Sequence, residues 1–253
     1  MAITYVGRVW DFNASGTTKG NISLIVPSNV VEGDVLIAGV HMGTAATVTP
    51  PSGWSAINSE RDTGAANLRA SMWYKIATSS DAGQSQTWAI SATSIWGVLL
   101  SALRGVDTSS GDPVHASNGA VYTSTNPATG PTVTTTVQGC MILTFCASRG
   151  STTTTPSYAA TNGADSSGIG PIVSGTVRGG QFGAIGADGG VSTRSQAQFA
   201  SDFQGPGTYG FAVQTSAAIT ERVMFTVALP ALPPLGVAQM QPTTQAVVRN
   251  SRW

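Results

Sequence analysis

The chain has 253 residues, no formal net charge and only 9% charged side chains, against about 25% in ordinary soluble domains. A neutral chain offers no excess of basic charge to phosphates, so we do not expect nucleic acid as a partner. With 41% apolar residues the chain can form a large core, and Ser, Thr, Asn, Gln and Gly must supply most of its surface.

Short apolar runs separated by Gly, Ser and Pro predict β-strands throughout the first half. We expect strands at residues 3–10, 22–26, 35–40, 68–77 and 88–90. Residues 94–103 carry apolar side chains at both odd and even positions, which is typical of a central strand covered on both faces. The tetrapeptide Arg104-Gly105-Val106-Asp107 predicts a turn after it, because glycine allows the bend and aspartate accepts a local hydrogen bond.

The second half repeats this order of strands loosely. The segments that resemble each other are 33–40 and 139–147, Trp54 and Tyr158, and 95–103 and 221–229. An internal pseudo-repeat of residues 33–107 and 139–229 accounts for these similarities. The alternative is that any two-sheet sandwich produces them.

The strand spacing predicts an all-β chain folded as a jelly-roll-like β-sandwich over residues 1–229. Residues 148–190 are rich in Thr, Ser and Gly and predict a long surface loop with a short strand at 172–177.

Residues 230–253 predict an extended C-terminal arm, because their prolines disfavour regular ladder pairing. Trp and Arg dominate the binding energy of protein interfaces, and the arm ends in both. The residues that we expect to bind a partner are Pro233, Pro234, Arg249, Arg252 and Trp253.

Residue types that carry catalysis are few and scattered. His41 and His115 have no further ligands at zinc-site spacing, and we expect His41 to be a hydrogen-bonded histidine at a strand edge. The acidic runs at residues 60–62 and 107–112 are expected in turns and on solvated faces, because proximity in sequence does not place two carboxylates across a cleft. We therefore predict a protein that is not an enzyme and that holds no metal and no cofactor.

Cys140 and Cys146 fall in one predicted strand, about 20 Å apart at about 3.3 Å per residue, too far for a disulfide. We expect two buried thiols. Residues 1–5 lack the features of a signal peptide, and the longest apolar run is about half a membrane span. We therefore expect synthesis in the cytoplasm and no membrane insertion.

Exposed aromatic rings are the side chains that would stack on sugar rings. Apolar surroundings predict core positions for Trp54, Trp73, Trp88 and Trp96. Tyr122 and Tyr158 stand among Thr and Ser and are therefore the candidates for glycan contact.

Three motifs carry a resemblance to a known group of proteins: Pro51-Ser52-Gly53-Trp54, then residues 73–78 (WYKIAT), then residues 103–107 (LRGVD). Together they resemble the β-sandwich minor tail, or virion-associated, proteins of tailed phages of Actinobacteria. The resemblance covers about residues 35–114 and brings no catalytic residue with it.

The resemblance implies a structural virion protein, in the first place a minor tail or tail-tip component that contacts the host envelope. It would be made in the host cytoplasm and located in the virion. We expect a symmetric homo-oligomer, with a trimer favoured, attached to other virion proteins through the arm. One alternative is a capsid decoration protein, and a second is a carbohydrate-binding module for a host-envelope glycan.

Overall fold

A computed structural model describes twelve segments of the chain, and all statements below refer to them. They are residues 3–12, 20–43, 46–64, 68–94, 96–123, 128–151, 158–160, 184–187, 192–202, 206–210, 212–215 and 219–233. The regular elements in these segments are all β-strands. None of the described residues forms a helix that could cross a membrane.

Nineteen strands are described, several of them only two or three residues long. In chain order they are β1 (Thr4–Phe12), β2 (Ile22–Ile25), β3 (Val35–Met42), β4 (Val48–Thr49), β5 (Ser55–Ala56), β6 (Arg61–Asp62), β7 (Arg69–Ile76), β8 (Ser85–Ile90), β9 (Trp96–Arg104), β10 (Ala116–Thr123), β11 (Ala128–Thr129), β12 (Val133–Thr135), β13 (Cys140–Ser151), β14 (Tyr158–Ala160), β15 (Ala184–Ala187), β16 (Ser192–Asp202), β17 (Gly207–Tyr209), β18 (Ala212–Thr215) and β19 (Ile219–Pro230).

Two larger antiparallel sheets form the middle of the molecule. Sheet I has the order β1-β9-β3-β7-β5, with β6 also paired to β7, and sheet II has the order β10-β19-β13-β16-β15. A smaller sheet, β2-β8-β4, covers the outer face of sheet I, and the β12-β17 pair lies against the outer face of sheet II. A further small sheet has the order β11-β18-β14. The described strands therefore stack in layers, with sheets I and II inside.

Strand β9 occupies the position that its sequence predicts. It lies between β1 and β3, and every residue from Trp96 to Leu103 is buried. Leu99 and Leu103 face sheet II, whereas Val98 and Leu100 face the outer sheet. At the end of β9, Gly105 has φ = 85°, a left-handed conformation that favours glycine, so the predicted turn is confirmed.

Three apolar clusters hold the layers together. The first, between sheets I and II, includes Ile37, Met72, Leu143, Phe145 and Phe225. The second joins sheet I to the outer sheet and contains Trp54, Trp88 and Trp96, as predicted, whereas Trp73, also predicted in the core, is only partly buried against it. The third, on the outer face of sheet II, contains Cys140, Cys146 and Tyr209.

The prediction of an all-β chain is confirmed, and the predicted strands of the first half are present with ends shifted by a few residues. The finer jelly-roll assignment stays a prediction. The loop predicted at 148–190 is wrong in part, because β13 runs to Ser151 and two strands, β14 and β15, lie within it. The strand predicted at 172–177 lies outside the described residues.

The expected correspondence between Tyr158 and Trp54 is not observed. Trp54 directly precedes β5, which pairs with β7 at the edge of sheet I. Tyr158 instead begins β14, which pairs with β18 outside sheet II. The strand that occupies the edge of sheet II next to β16 is β15.

Replacing Trp96 with alanine should lower the free energy of unfolding by about 3–5 kcal/mol, because its side chain is 2% exposed in the second cluster. Urea unfolding followed by circular dichroism measures the change. As a control, Ile25→Ala removes an apolar side chain that is 63% exposed and should change the free energy by less than about 0.5 kcal/mol. Equal stability of the wild type and the Trp96 variant would contradict the central position of β9.

Candidate functional site

Charged side chains are scarce in this chain, yet several of them gather at one edge where sheets I and II meet. Glu60, Asp62 and Arg69 come from sheet I, and Arg149 and Glu221 come from sheet II. We call this group of five residues the charged edge. It includes the acidic run at residues 60–62 that the sequence places in a turn or on a solvated face.

The sheet I part of the charged edge is built around one guanidinium group. Asp62 pairs with Arg69 across strands β6 and β7, which places their side chains close together. Arg69 donates from Nε and Nη2 to Oδ2 of Asp62, at 3.2 and 2.9 Å. Its Nη1 lies 3.1 Å from Oε1 of Glu60. A single half-buried arginine thus neutralises both carboxylates of the run.

Direct contacts cross from this segment to sheet II. The hydroxyl of Thr63, next to β6, donates to Oε2 of Glu221 at 3.1 Å. Within sheet II, Nη1 of Arg149 lies 3.7 Å from Oε1 of the same carboxylate. Further along, the hydroxyl of Ser117 in β10 donates to the carbonyl of Ile57 at 2.9 Å. Residues 57–63 therefore link the two sheets.

Burial and charge act on Glu60 in opposite directions. Burial raises the pKa of Glu60 most, Arg69 lowers it, and the nearby Asp62 raises it again, so that the pKa lies above its usual value. Glu60 and Asp62 share one cation, the guanidinium group of Arg69. These ion pairs join the 60–62 run to β7 within sheet I.

The motif residues that carry the family resemblance form a buried polar network between sheet I and the outer sheet. Asp81, 4% exposed, is its centre. Nζ of Lys75 donates to Oδ1 of Asp81 at 2.6 Å, and the backbone N–H and the hydroxyl of Thr78 each donate to Oδ2 at 2.8 Å. Gln86 donates to Asp81 and accepts from Nε1 of Trp54 at 3.0 Å.

These motifs also contact each other and the end of β9. Gly53 has φ = 83°, and a Cβ added there would lie 3.4 Å from Cε of Lys75, so the first motif packs against the second. Arg104, in the third motif, donates from Nε and Nη2 to the two carboxylate oxygens of Asp34, both at 2.8 Å. Asp34 is 1% exposed. Each motif residue named here has a structural role in the first half of the chain.

The start of the predicted C-terminal arm is held by backbone hydrogen bonds. The carbonyl of Pro230 accepts from the N–H of Asp107 at 2.7 Å, and the N–H of Leu232 donates to the carbonyl of Gly105 at 2.8 Å. Leu232 is 38% exposed, and Pro233 after it is exposed. The other predicted partner-binding residues lie outside the described residues: Pro234, Arg249, Arg252 and Trp253.

The two tyrosines predicted to contact glycans have different surroundings. Tyr122 is half-buried in β10 and packs against the third cluster, and burial raises its pKa. Tyr158 begins β14, and its side chain lies outside the described part of the structure. The structure does not bring the two residues into one described surface, and their role in glycan binding stays a prediction.

The histidine and cysteine predictions have mixed outcomes. His41 is fully buried in β3, an inner strand of sheet I, so its expected place at a strand edge is wrong. Nε2 of His115 accepts a hydrogen bond from the N–H of Thr136 at 3.1 Å. Cys140 and Cys146 are buried and unpaired, as predicted, and burial raises their pKa values to about 11 and about 12.

No group of three or more His, Cys, Asp or Glu side chains in the described segments is placed to hold a metal ion. No protein-family model matches this sequence, and no curated protein matches it.

Replacing Arg69 with methionine should lower the free energy of unfolding by about 2 kcal/mol, because two half-buried carboxylates lose their shared cation. Urea unfolding at pH 7 measures the loss. The matched control, Arg69→Met with Glu60→Gln and Asp62→Asn, removes all three charges and should recover part of it. A single variant as stable as the wild type would contradict the structural role of this cluster.

Acid should weaken the fold through Asp81. Although burial alone would raise the pKa of Asp81, the hydrogen bonds from Lys75 and Thr78 outweigh it and hold the pKa below its usual value. The stabilisation is therefore complete above the unfolded-state pKa, about 4, and is lost as pH falls through the lower folded-state pKa.

Urea midpoints measured between pH 7 and pH 2.5 test this predicted loss of stability at low pH. Asp81→Asn should lower the midpoint at pH 7 and flatten its decline below pH 4, whereas Glu32→Gln, at an exposed position, should leave the profile unchanged. Parallel profiles for the wild type and the Asp81 variant would show that Asp81 does not carry the acid sensitivity.

Proposed function

We propose that this chain is a structural protein of a phage virion, and within the virion a minor tail or tail-tip component. The proposal is supported by the resemblance of its three motifs to virion-associated proteins. The same motif residues make the buried network around Asp81 and the Arg104–Asp34 pair.

The observation that carries the proposal is the way in which the first residues of the predicted arm are held. Residues 230–232 bond to the backbone at Gly105, Asp107 and Gly139, with the N–H of Ala231 donating to the carbonyl of Gly139 at 3.2 Å. The arm that we propose beyond Pro233 would start from this fixed point. A fixed starting point is what an arm needs to reach the same site on each neighbour.

The remaining length is sufficient for contact with a neighbouring subunit. Twenty residues follow Pro233, and a fully extended chain of that length spans at most about 70 Å. Arg249, Arg252 and Trp253 lie at its far end and are residue types that dominate interface binding energies. We therefore propose that the arm attaches each copy to its own neighbours or to other virion proteins, in a symmetric oligomer, with a trimer favoured.

Deleting residues 235–253 should leave the melting temperature nearly unchanged, because no described contact would be lost, but should abolish incorporation into particles. The measurement is immunoblotting of purified particles assembled with the truncated or the complete chain. The control is the full-length Arg249→Ala, Arg252→Ala, Trp253→Ala variant, which keeps the arm's length and should also be excluded. Normal incorporation of the truncated chain would refute the role of the arm.

Immunogold labelling of intact particles then separates the tail from the capsid. Label at the tail or its tip supports the proposal, and label over the whole head would make capsid decoration the function. Light scattering of the purified chain gives the oligomeric state, for which a stable trimer is expected.

A further inference from the structure

Apart from β6, which pairs with β7 in sheet I alone, sheets I and II have the same order of strands. In both, the strand that follows the first covering strand, β2 or β12, lies at the centre: β3 pairs with β9 and β7, and β13 pairs with β19 and β16. The earlier strands β1 and β10 take the same edge, beside β9 and β19. The later short strands β5 and β15 take the other edge.

The registers of the two sheets match as well. Val35, at the start of β3, lies opposite Leu103, the penultimate residue of β9. Met141, near the start of β13, lies opposite Leu229, the penultimate residue of β19. Val35 and Met141 each also follow, by two residues, a glycine with positive φ, Gly33 or Gly139. This alignment makes Val35 equivalent to Met141 and, four residues on, Gly39 equivalent to Phe145.

The covering strands outside the two sheets extend the equivalence. Ile22 of β2 lies opposite Trp88 of β8, and Val133 of β12 lies opposite Tyr209 of β17. The next pair in each case joins two hydroxyls across the outer surface. Ser23 and Thr87 are 2.8 Å apart, and Thr134 and Thr208 are 3.0 Å apart.

The two sheets pack against each other in a reciprocal way. Strand β7 of sheet I contacts β19 of sheet II, and β9 of sheet I contacts β16 of sheet II. Strand β7 corresponds to β16, and β9 corresponds to β19. Exchanging the two sheets therefore turns the β7–β19 contact into the β16–β9 contact. Reciprocal contacts of this kind are the signature of an isologous interface, which a two-fold axis generates.

Two direct contacts locate that axis. Just after β9 and at the end of β19, Val106 and Ala231 form an antiparallel bridge, flanked by the bonds from Asp107 to Pro230 and from Leu232 to Gly105. This is a pairing of equivalent strand ends. In the middle of β3 and β13, the equivalent residues Gly39 and Phe145 are in direct contact. A Cβ added to Gly39 would lie 2.3 Å from Cδ2 of Phe145. Equivalent residues can touch only near the axis that relates them.

We infer that sheets I and II are two copies of one self-complementary surface, joined face to face about a pseudo-two-fold axis, and that Gly39 and Phe145 make this surface selective for its counterpart. The partner of each sheet face is thus the other half of the same chain. The inference is independent of the virion role proposed above.

The selectivity follows from size. Phe145 is fully buried, and its ring fills the space that Gly39 leaves. Two copies of the sheet I face would put glycine opposite glycine and leave a cavity on the axis. Two copies of the sheet II face would put two rings into one space. Both mispairings are disfavoured, the first by lost packing and the second by steric overlap, and only the unlike pair fits.

An exchange of the two residues in the complete chain tests the symmetry. Gly39→Phe alone should lower the urea midpoint because two rings compete for one space, and Phe145→Gly alone should lower it because a cavity opens. The combined variant, Gly39→Phe with Phe145→Gly, moves the ring across the axis into the equivalent space. It should recover more than half of the summed loss in midpoint.

The matched control uses another glycine–phenylalanine contact, between Gly119 and Phe225, which are cross-strand neighbours in sheet II and are not equivalent. Exchanging these two should give no recovery, because Gly119 lies in edge strand β10 and an added Cβ would also lie 3.1 Å from Nε of Arg61.

Additive losses in the Gly39/Phe145 exchange, or equal recovery in the control exchange, would overturn the inference. If a single variant does not fold, the doubly exchanged chain decides alone. A cooperative unfolding transition supports the two-fold relation, and the lack of one refutes it.

Discussion

The structure depends on sheet I being buried on both faces. Strands β3 and β9 have no solvent-facing side, so each presents apolar side chains in both directions, such as Leu36 and Ile37 on successive residues. A sheet of this kind must be covered twice, because each apolar face left in water would cost free energy in proportion to its area. The small outer sheet covers one face and sheet II the other.

Burial on this scale leaves little room for charge, and two buried carboxylates lie with their cations where strands end. Asp34 with Arg104 closes the turn between β2 and β3 against the end of β9, and Asp81 with Lys75 does the same between β7 and β8. Strand ends are where backbone N–H groups lack ladder partners, and both carboxylates accept such bonds as well as a cation. The low charge of the chain and its layered fold are therefore linked.

The charged edge shows the limit of inference from sequence. The run Glu60-Arg61-Asp62 is visible as a cluster, but the expected turn or solvated face is wrong, because Arg61 and Asp62 form strand β6 and are only partly exposed. Its surroundings were not predictable either, because Thr63 and Glu221 are 158 residues apart and no local pattern connects them. The same holds for Gly39 and Phe145, since a glycine inside an apolar strand indicates close approach of something without indicating what.

The sequence by itself determined the longer strands of the first half, the turn at Gly105, the core positions of three tryptophans and the two buried thiols, because these follow from local periodicity and chain geometry. Only the tertiary structure decided which strands are neighbours, what covers each face, and that His41 lies in the interior. The physical reason is that the alternation of side chains along a strand tells which residues share one face of a sheet. Apolar burial has no direction, so the layer that covers that face is settled only by packing across the whole chain.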